Sequence, residues 1–141
     1  MDPPRTRGET MTMTMREAAK GQHPDDVQYF ERLRALGDQV AARAGIRCDV
    51  IEPKRRPGGA RGNAYVHERR ITIEVRFKAY VYDGGEWAPR RHPHDENVET
   101  LAHELAHLLE HQRHGSTGHT PRFRAIEREL VEMARELDGA Q

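Results

Sequence analysis

Apolar residues recur at helical spacing along three stretches of the chain. In the first stretch, residues 26–44, they repeat every three or four positions and stop before Gly45. Asp25 and Asp26 can cap its start, because a carboxylate accepts hydrogen bonds from the unpaired N–H groups of a first helical turn. The spacing predicts a helix with one buried face, formed by Val27, Phe30, Leu33, Leu36, Val40, Ala41 and Ala44.

Two further helices are predicted in the second half of the chain. Residues 96–114 carry an apolar stripe, with Asp95 as a potential cap and Gly115 at the end. Thr120 and Pro121 then suit the N-cap and the first position of a new helix. The apolar positions of these two helices are Val98, Leu101, Leu105, Leu108 and Leu109, followed by Phe123, Ile126, Leu130, Met133 and Leu137.

A small antiparallel sheet is predicted between the first two helices. Residues 46–52 read as a strand, and residues 63–67 and 70–77 alternate between apolar and polar side chains, as in a hairpin that turns near Glu68 and Arg69. The alternation places two sets of residues on opposite faces of the strand: Ile71, Ile73, Val75 and Phe77, against Thr72, Glu74 and Arg76. We therefore expect an α+β fold, in which this sheet packs with an N-terminal helix and the two later helices.

Composition limits the size of the domain. The chain has 141 residues, of which 35% are hydrophobic and 33% charged, so its core must be small. Residues 1–23 lack sustained periodicity and are expected to be a disordered tail, which leaves residues 24–141 as one domain.

The charge balance is neutral overall but uneven along the chain. Eight Lys or Arg residues stand between Lys54 and Lys78 against two Glu residues. The loop within this region could contact phosphates of a nucleic acid or an acidic partner through Lys54, Arg55, Arg56 and Arg61. An exposed, solvated hairpin loop is the reading that we favour, because no aromatic residue interleaves these charges for base stacking.

The cellular setting follows from what the sequence lacks. A single cysteine, Cys48, cannot form an internal disulfide or a cysteine zinc cluster and is expected to be a packing residue. No apolar run approaches the roughly 20 residues of a membrane span, and the start of the chain has no apolar signal region. We expect a cytoplasmic protein without membrane contact; the sequence does not indicate its oligomeric state.

The second helix contains the pattern H-E-x-x-H at His103, Glu104 and His107. Residues four apart lie on one face of a helix, so both imidazoles can reach one metal ion. Zinc binds neutral imidazoles, and in catalytic sites it keeps a position open for water, whose pKa it lowers to about 7. Glu104 would accept a proton from that water, which points to a catalytic zinc site; a histidine-rich helix without metal is the alternative.

A third metal ligand is expected beyond the helix. His119 follows a glycine-bounded turn, which can return it to the metal, and His114 is its main rival. His111 is too far from His103, at about 12 Å of helical rise. The remaining alternatives are Glu127 and Glu129.

The segment before the motif helix adds weaker candidates. His92 and His94 could be spare ligands, although surface positions are favoured for both. An oxyanion formed during hydrolysis needs a hydrogen-bond donor besides the metal. The sequence offers four donor candidates without ranking them: Tyr80, Tyr82, Arg90 and Arg91.

Residues 103–123, HELAHLLEHQRHGSTGHTPRF, resemble the SprT-like zinc metallopeptidases and a related group with an HELAH…H-S-P-x-F-W signature. The matching residues are His103, Glu104, His107, His119 and Phe123. The resemblance covers about residues 60–135 and implies a minimal zincin-like domain with zinc held by the three histidines. A single cysteine cannot build the cysteine zinc ribbon that SprT-like proteins often carry, which puts DNA-directed proteolysis in doubt.

The function expected from these features is zinc-dependent hydrolysis of a peptide or protein substrate, with Glu104 as the general base. In zinc proteases an edge strand beside the metal helix often pairs with the substrate backbone. Residues 70–77 are our candidate for that strand, with residues 80–83 as the alternative. The competing hypothesis is a binding module that holds nucleic acid or a protein through the basic region 54–78 and has a structural or vestigial zinc site.

Overall fold

The computed structural model describes five parts of the chain: residues 26–54, 59–76, 81–83, 86–88 and 90–140. The predicted tail at residues 1–23 lies outside these described residues. Three helices and two small sheets are present within them.

The three described helices are those that the hydrophobic pattern predicts. Helix α1 spans Asp26–Ala44, helix α2 spans His94–His114 and helix α3 spans Pro121–Gly139. The second begins two residues before its predicted start. Each buries the apolar face that its periodicity defines, so amphipathic spacing accounts for all three elements.

The helix ends show which predicted caps form. Gly115 ends α2 in the left-handed conformation at φ 77°, which glycine adopts without steric cost. Thr120 caps α3, since its hydroxyl accepts a hydrogen bond from the N–H of Phe123, and Pro121 occupies the first position. The prediction that Asp95 caps α2 is wrong, because Pro93 stands at that cap without a side-chain hydrogen bond.

The strands form a mixed sheet and a separate ribbon. Strands β1 (Val50–Pro53), β2 (Gly62–Tyr65) and β3 (Arg70–Ile73) are arranged in the order β1-β3-β2. β2 and β3 form the predicted antiparallel hairpin, whereas β1 runs parallel to β3. β4 (Val81–Asp83) and β5 (Glu86–Ala88) pair antiparallel. The α+β class is confirmed, with a mixed sheet instead of an entirely antiparallel one.

The position of β3 corrects one prediction. β3 lies in the centre of its sheet, so its backbone groups pair with strands on both sides and residues 70–77 cannot be the edge strand that binds substrate. Thr72 and Glu74, on the opposite face from Ile71 and Ile73, are also buried, at 6% and 4% exposure. The strand that packs beside α2 at the sheet edge is β2.

Helix α2 occupies the middle of the domain. It packs against α1, α3 and the three-stranded sheet, so its apolar residues meet every layer. A Cβ atom at Gly37 of α1 would stand 2.5 Å from Ile51 Cδ1 and 3.0 Å from Leu101 Cδ1, which shows how closely the layers approach. The largest fully buried apolar side chains are Phe30, Phe123, Leu33, Leu36, Ile71, Ile73, Leu101, Leu105, Leu130, Val40 and Val75.

Candidate metal centre

Three histidines converge where α2 faces the start of α3. His103 and His107 lie one turn apart on α2, and their Nε2 atoms are 3.3 Å apart. His119 stands immediately before α3, and its Nε2 lies 3.2 Å from that of His107. One ligand atom from each of the three lies within 4.8 Å of the others, so the cluster is close enough to hold a metal ion.

The spacing of the nitrogens fits zinc. Ligand atoms about 2.0–2.1 Å from a tetrahedral zinc ion are about 3.3–3.4 Å from each other. The two measured Nε2–Nε2 distances, 3.2 and 3.3 Å, are close to that value. Imidazole is also a preferred zinc ligand.

The outer nitrogen of His103 is held by a carboxylate. Its Nδ1 hydrogen-bonds Glu127 of α3, which also accepts a hydrogen bond of 2.9 Å from Arg124. Burial would raise the pKa of Glu127, but the bonds from His103 and Arg124 outweigh it and lower the pKa. An ionised carboxylate only accepts, so His103 Nδ1 carries the proton and its Nε2 lone pair points into the cluster.

His107 lies in a more enclosed position. Its ring stacks on Phe123, with ring centroids 4.2 Å apart, and its Nδ1 lies 2.8 Å from the hydroxyl of Thr117. Burial, followed by the charges of His103 and His119, lowers the pKa of His107 to about 4. The ring is therefore neutral at physiological pH, which is the form that binds a metal.

Phe123 forms the floor of the cluster. It is fully buried, and its ring contacts all three histidines at centroid distances between 4.2 and 5.3 Å. An apolar floor excludes water from one side of the imidazoles, so the nitrogens stay directed toward the remaining open side.

Glu104 is enclosed between α2 and β2. Its side chain is 5% exposed, and burial followed by the charge of Glu127 raises its pKa to about 7. A Cβ atom at Gly62 would stand 2.7 Å from Glu104 Oε2 and 2.9 Å from its Cγ. Only glycine lets the edge strand approach this carboxylate so closely.

A cleft of about 700 Å³ opens above these residues. One wall is the edge strand and the residues before it, and the floor is α2 with the loop that carries His119. Its polar lining includes Arg61, Asn63, Glu96, Glu99, Thr100, His103, Glu104, His107, Thr117, His119 and Glu127. The histidine cluster thus lies in a space large enough for a segment of an extended ligand.

The other predicted ligands lie apart from this cluster. His114 and Glu129 are exposed, and neither joins the group within the described residues. Glu127 contacts His103 on the nitrogen that faces away from the cluster, so it supports a ligand instead of replacing one. His111 packs edge-on against the ring of His67, at 5.1 Å between centroids.

The prediction that His92 and His94 are surface residues is wrong for His92. His92 is buried, and its Nε2 lies 3.0 Å from a carboxylate oxygen of Glu74. His94 is half-buried and bonds Tyr29 at 2.7 Å and Asp138 at 2.9 Å.

The predicted oxyanion donors do not reach the cleft where they can be described. Arg91 pairs with the buried Asp26 and lies over the ring of Tyr29, and Arg90 does not line the cleft. Tyr80 and the side chain of Tyr82 lie outside the described residues. Arg91 is therefore wrong as a donor.

The basic loop is only partly described. Lys54 donates to the backbone carbonyl of Ala60, and Arg61 donates to Glu96 at 2.7 Å. Arg55 and Arg56 lie outside the described residues. Contact with nucleic acid through these four residues stays a prediction.

Sequence reasoning missed three residues of the site. Thr117 contacts His107, Gly62 closely approaches Glu104, and Glu110 supports the loop that carries His119. A glycine before a predicted strand and a threonine in a GSTG turn are too common to single out. Glu110 is an acid within an otherwise apolar stripe, which was a usable signal for a buried partner.

Comparison with protein families identifies the chain. The model of the SprT-like family matches residues 54–140, which is more than half of its length. The chain belongs to the SprT-like family. The match covers strands β2 and β3 and both helices of the SprT-like histidine cluster, and it confirms the resemblance seen in residues 103–123. No curated protein and no solved structure gives a significant match.

Membrane insertion has no helical candidate in this SprT-like chain as far as the structure describes it. None of the described helices combines the length and the apolar character that a membrane span requires.

Proposed function

We propose that this SprT-like protein is a zinc-dependent peptidase in which His103, His107 and His119 bind the metal and Glu104 is the general base. The observation that carries the proposal is the convergence of three Nε2 atoms at zinc-compatible spacing, directly beside a buried carboxylate in an open cleft. Family membership supports the same reading, because this family is associated with metallopeptidase-like domains.

The metal would supply the electrophilic part of the chemistry. When bound, zinc lowers the pKa of a coordinated water to about 7 and polarises a carbonyl oxygen. His103 and His107 would hold it through nitrogens whose outer partners already fix their orientation.

Glu104 would move the proton. Its carboxylate takes a proton from the attacking water and delivers it to the leaving amine. Burial raises its pKa to about 7, and a cation on the neighbouring histidines favours the ionised form that a base requires.

The edge strand β2 would orient the peptide. It borders the cleft and passes directly over Glu104, and in the described residues no strand pairs with its outer edge. An extended peptide could add to this edge through backbone hydrogen bonds. Arg61 and Asn63 provide N–H donors in the same wall and replace Arg91 as candidates for stabilising an oxyanion.

The test compares the parent protein with Glu104→Gln. Both are loaded with zinc and incubated with a peptide library, and new termini are counted by mass spectrometry. Glu104→Gln should retain about one zinc per chain and lose about 10²–10⁴-fold in turnover, the usual contribution of a general base. Gln is the matched choice, because it keeps the size of the side chain and removes its basicity.

Two results would count against the proposal. Equal cleavage by parent and variant would exclude Glu104 as the general base. If the parent protein binds no zinc, the proposed metal site is excluded. The basic region 54–78 would then be the first place to look for a binding function.

A further inference from the structure

Glu110 has no part in the proposed chemistry, although it is the most deeply buried charged side chain of the described residues, with 0% exposure. It lies on α2 one turn after His107 and faces the loop between α2 and α3. A buried carboxylate is costly unless it is well bonded, so its partners indicate what it does.

Its partners are all on the segment that carries His119. Oε1 accepts a hydrogen bond of 3.0 Å from the backbone N–H of Gly118, and Oε2 accepts one of 2.8 Å from Arg122 Nε. Burial would raise the pKa of Glu110, but the bonds from Arg122 and Gly118, together with the nearby hydroxyl of Thr117, outweigh it and lower the pKa.

The same loop also reaches His107. Thr117, the residue before Gly118, places its hydroxyl 2.8 Å from His107 Nδ1. This bond orients the ring, whose Nε2 lies 3.3 Å from that of His103 and 3.2 Å from that of His119. The loop that Glu110 anchors therefore contacts one proposed metal ligand, His107, and carries another, His119.

We propose that Glu110 is the positioning residue of the metal centre: through Gly118 and Arg122 it holds the loop that places His119 in the cluster and the Thr117 hydroxyl against His107. This inference rests on the proposed metal site. Glu127 bonds His103 directly, whereas Glu110 acts on His107 and His119 through the loop. Each of the two carboxylates is in turn held by an arginine, Arg124 for Glu127 and Arg122 for Glu110.

Two substitutions at Thr117 separate the effect of its hydroxyl on His107 from an effect on folding. Thr117→Val keeps the shape of the side chain and leaves the bonds from Gly118 and Arg122 to Glu110, but it removes the hydroxyl. Thr117→Ser keeps the hydroxyl and is the matched control. Glu110→Gln is a third variant, which weakens the whole support at some risk to folding.

The first measurement is zinc affinity by competition with a chromophoric chelator. Thr117→Val should bind zinc about 10–100-fold more weakly than the parent, the usual effect of losing an outer partner of a metal ligand. Thr117→Ser should restore the affinity of the parent, and Glu110→Gln should lose at least as much as Thr117→Val.

The second measurement reads the tautomer without metal. Long-range ¹H–¹⁵N correlation spectra of the zinc-free protein at neutral pH should show one tautomer of His107 in the parent and in Thr117→Ser, because the hydroxyl bonds Nδ1. Thr117→Val should show a mixture of tautomers or the opposite tautomer. A role in folding alone would not change this signal.

The outcomes separate the positioning role from the proposed metal site. Zinc affinity equal to that of the parent in both Glu110→Gln and Thr117→Val would overturn the positioning role while leaving the metal site intact. A parent that binds no zinc would overturn the proposed function, and with it the role of Glu110 toward a metal. If Glu110→Gln fails to fold, unchanged zinc affinity and an unchanged His107 tautomer in Thr117→Val would still show that the loop does not position His107.

Discussion

The two ends of α2 both pair histidines with carboxylates, but they use the imidazole differently. At the N-terminal end, His94 bonds Tyr29 through Nδ1 at 2.7 Å and Asp138 through Nε2 at 2.9 Å. Toward the C-terminal end, His103 and His107 bond protein partners through Nδ1, and their Nε2 atoms meet 3.3 Å apart.

The difference shows what separates a structural histidine from a metal ligand. Both nitrogens of His94 are occupied by protein groups, so the ring ties α2 to α1 and α3. At the cluster the Nδ1 atoms of His103 and His107 are fixed by protein partners, and the Nε2 atoms of both rings meet that of His119. A carboxylate partner alone therefore does not identify a histidine as a metal ligand. What identifies it is the convergence of its second ring nitrogen with those of other histidines.

The largest expected effect comes from removing one ring at each end. His107→Ala should weaken zinc binding more than about 100-fold, beyond the usual effect of losing an outer partner. His94→Ala should keep the zinc affinity of the parent and lower the free energy of unfolding by about 1–3 kcal/mol, because Tyr29 and Asp138 lose their partner. Chelator competition and urea unfolding measure the two quantities.

A reversed result would break the comparison. If His94→Ala lost zinc, the polar cluster at the N-terminal end would belong to the metal site after all. If His107→Ala kept zinc, the convergence of the Nε2 atoms would be a packing arrangement.

The third ligand gives the next contrast. His119→Ala should bind about 100-fold less zinc at a fixed low concentration of free metal, since it removes one of three protein ligands. His114→Ala should behave as the parent, because His114 is exposed and outside the cluster. Elemental analysis of protein purified without an affinity tag measures both. Loss of zinc in His114→Ala instead would show that the chain turns back differently after α2.

Gly62→Ala tests the approach of β2 to Glu104. The added Cβ would stand 2.7 Å from Glu104 Oε2, so the carboxylate or the strand must shift. Turnover should fall about 10²-fold, as for a misplacement of about 1 Å, while zinc content stays at that of the parent. Gly139→Ala is the control, because nothing lies within 4 Å of its added Cβ. Full turnover in Gly62→Ala would mean that Glu104 is placed independently of the strand.

The sequence predicts the elements better than their arrangement, because periodicity is local and pairing is not. The repeats around Phe30, Leu105 and Leu130 define all three helices, since a helical face depends only on neighbouring turns. The central position of β3 depends on β1, which pairs with it in parallel from a distant part of the chain. The alternation of side chains within β3 cannot show which strands pair with its edges, or that both of its faces are covered.

The same distinction holds for the metal cluster: its ligands can be predicted from local sequence, and the residues that support them cannot. His103 and His107 share a helix face by spacing alone, and the return of His119 follows from the glycine-bounded turn. The roles of Thr117 and Glu110 depend on the path of that turn in space, which the letters GSTG do not specify. Burial of His92 likewise depends on Glu74, a partner that lies 18 positions earlier.

The smallest expected effect concerns Cys48, which lies outside α2. Burial, followed by the charges of Asp38 and Asp49, raises the pKa of its thiol to about 11. The thiolate is the reactive form, and compared with a thiol of pKa 9.0 its fraction at neutral pH is about 100-fold lower. Alkylation by iodoacetamide should therefore be slow at pH 7 and should accelerate about tenfold per pH unit toward pH 11, with the urea-unfolded protein as the fast control.

Cys48→Ala should leave zinc affinity and turnover unchanged, because a cluster of three imidazoles needs no sulfur ligand. A loss of zinc in that variant would mean that the ligand set includes a residue from outside the α2–α3 region.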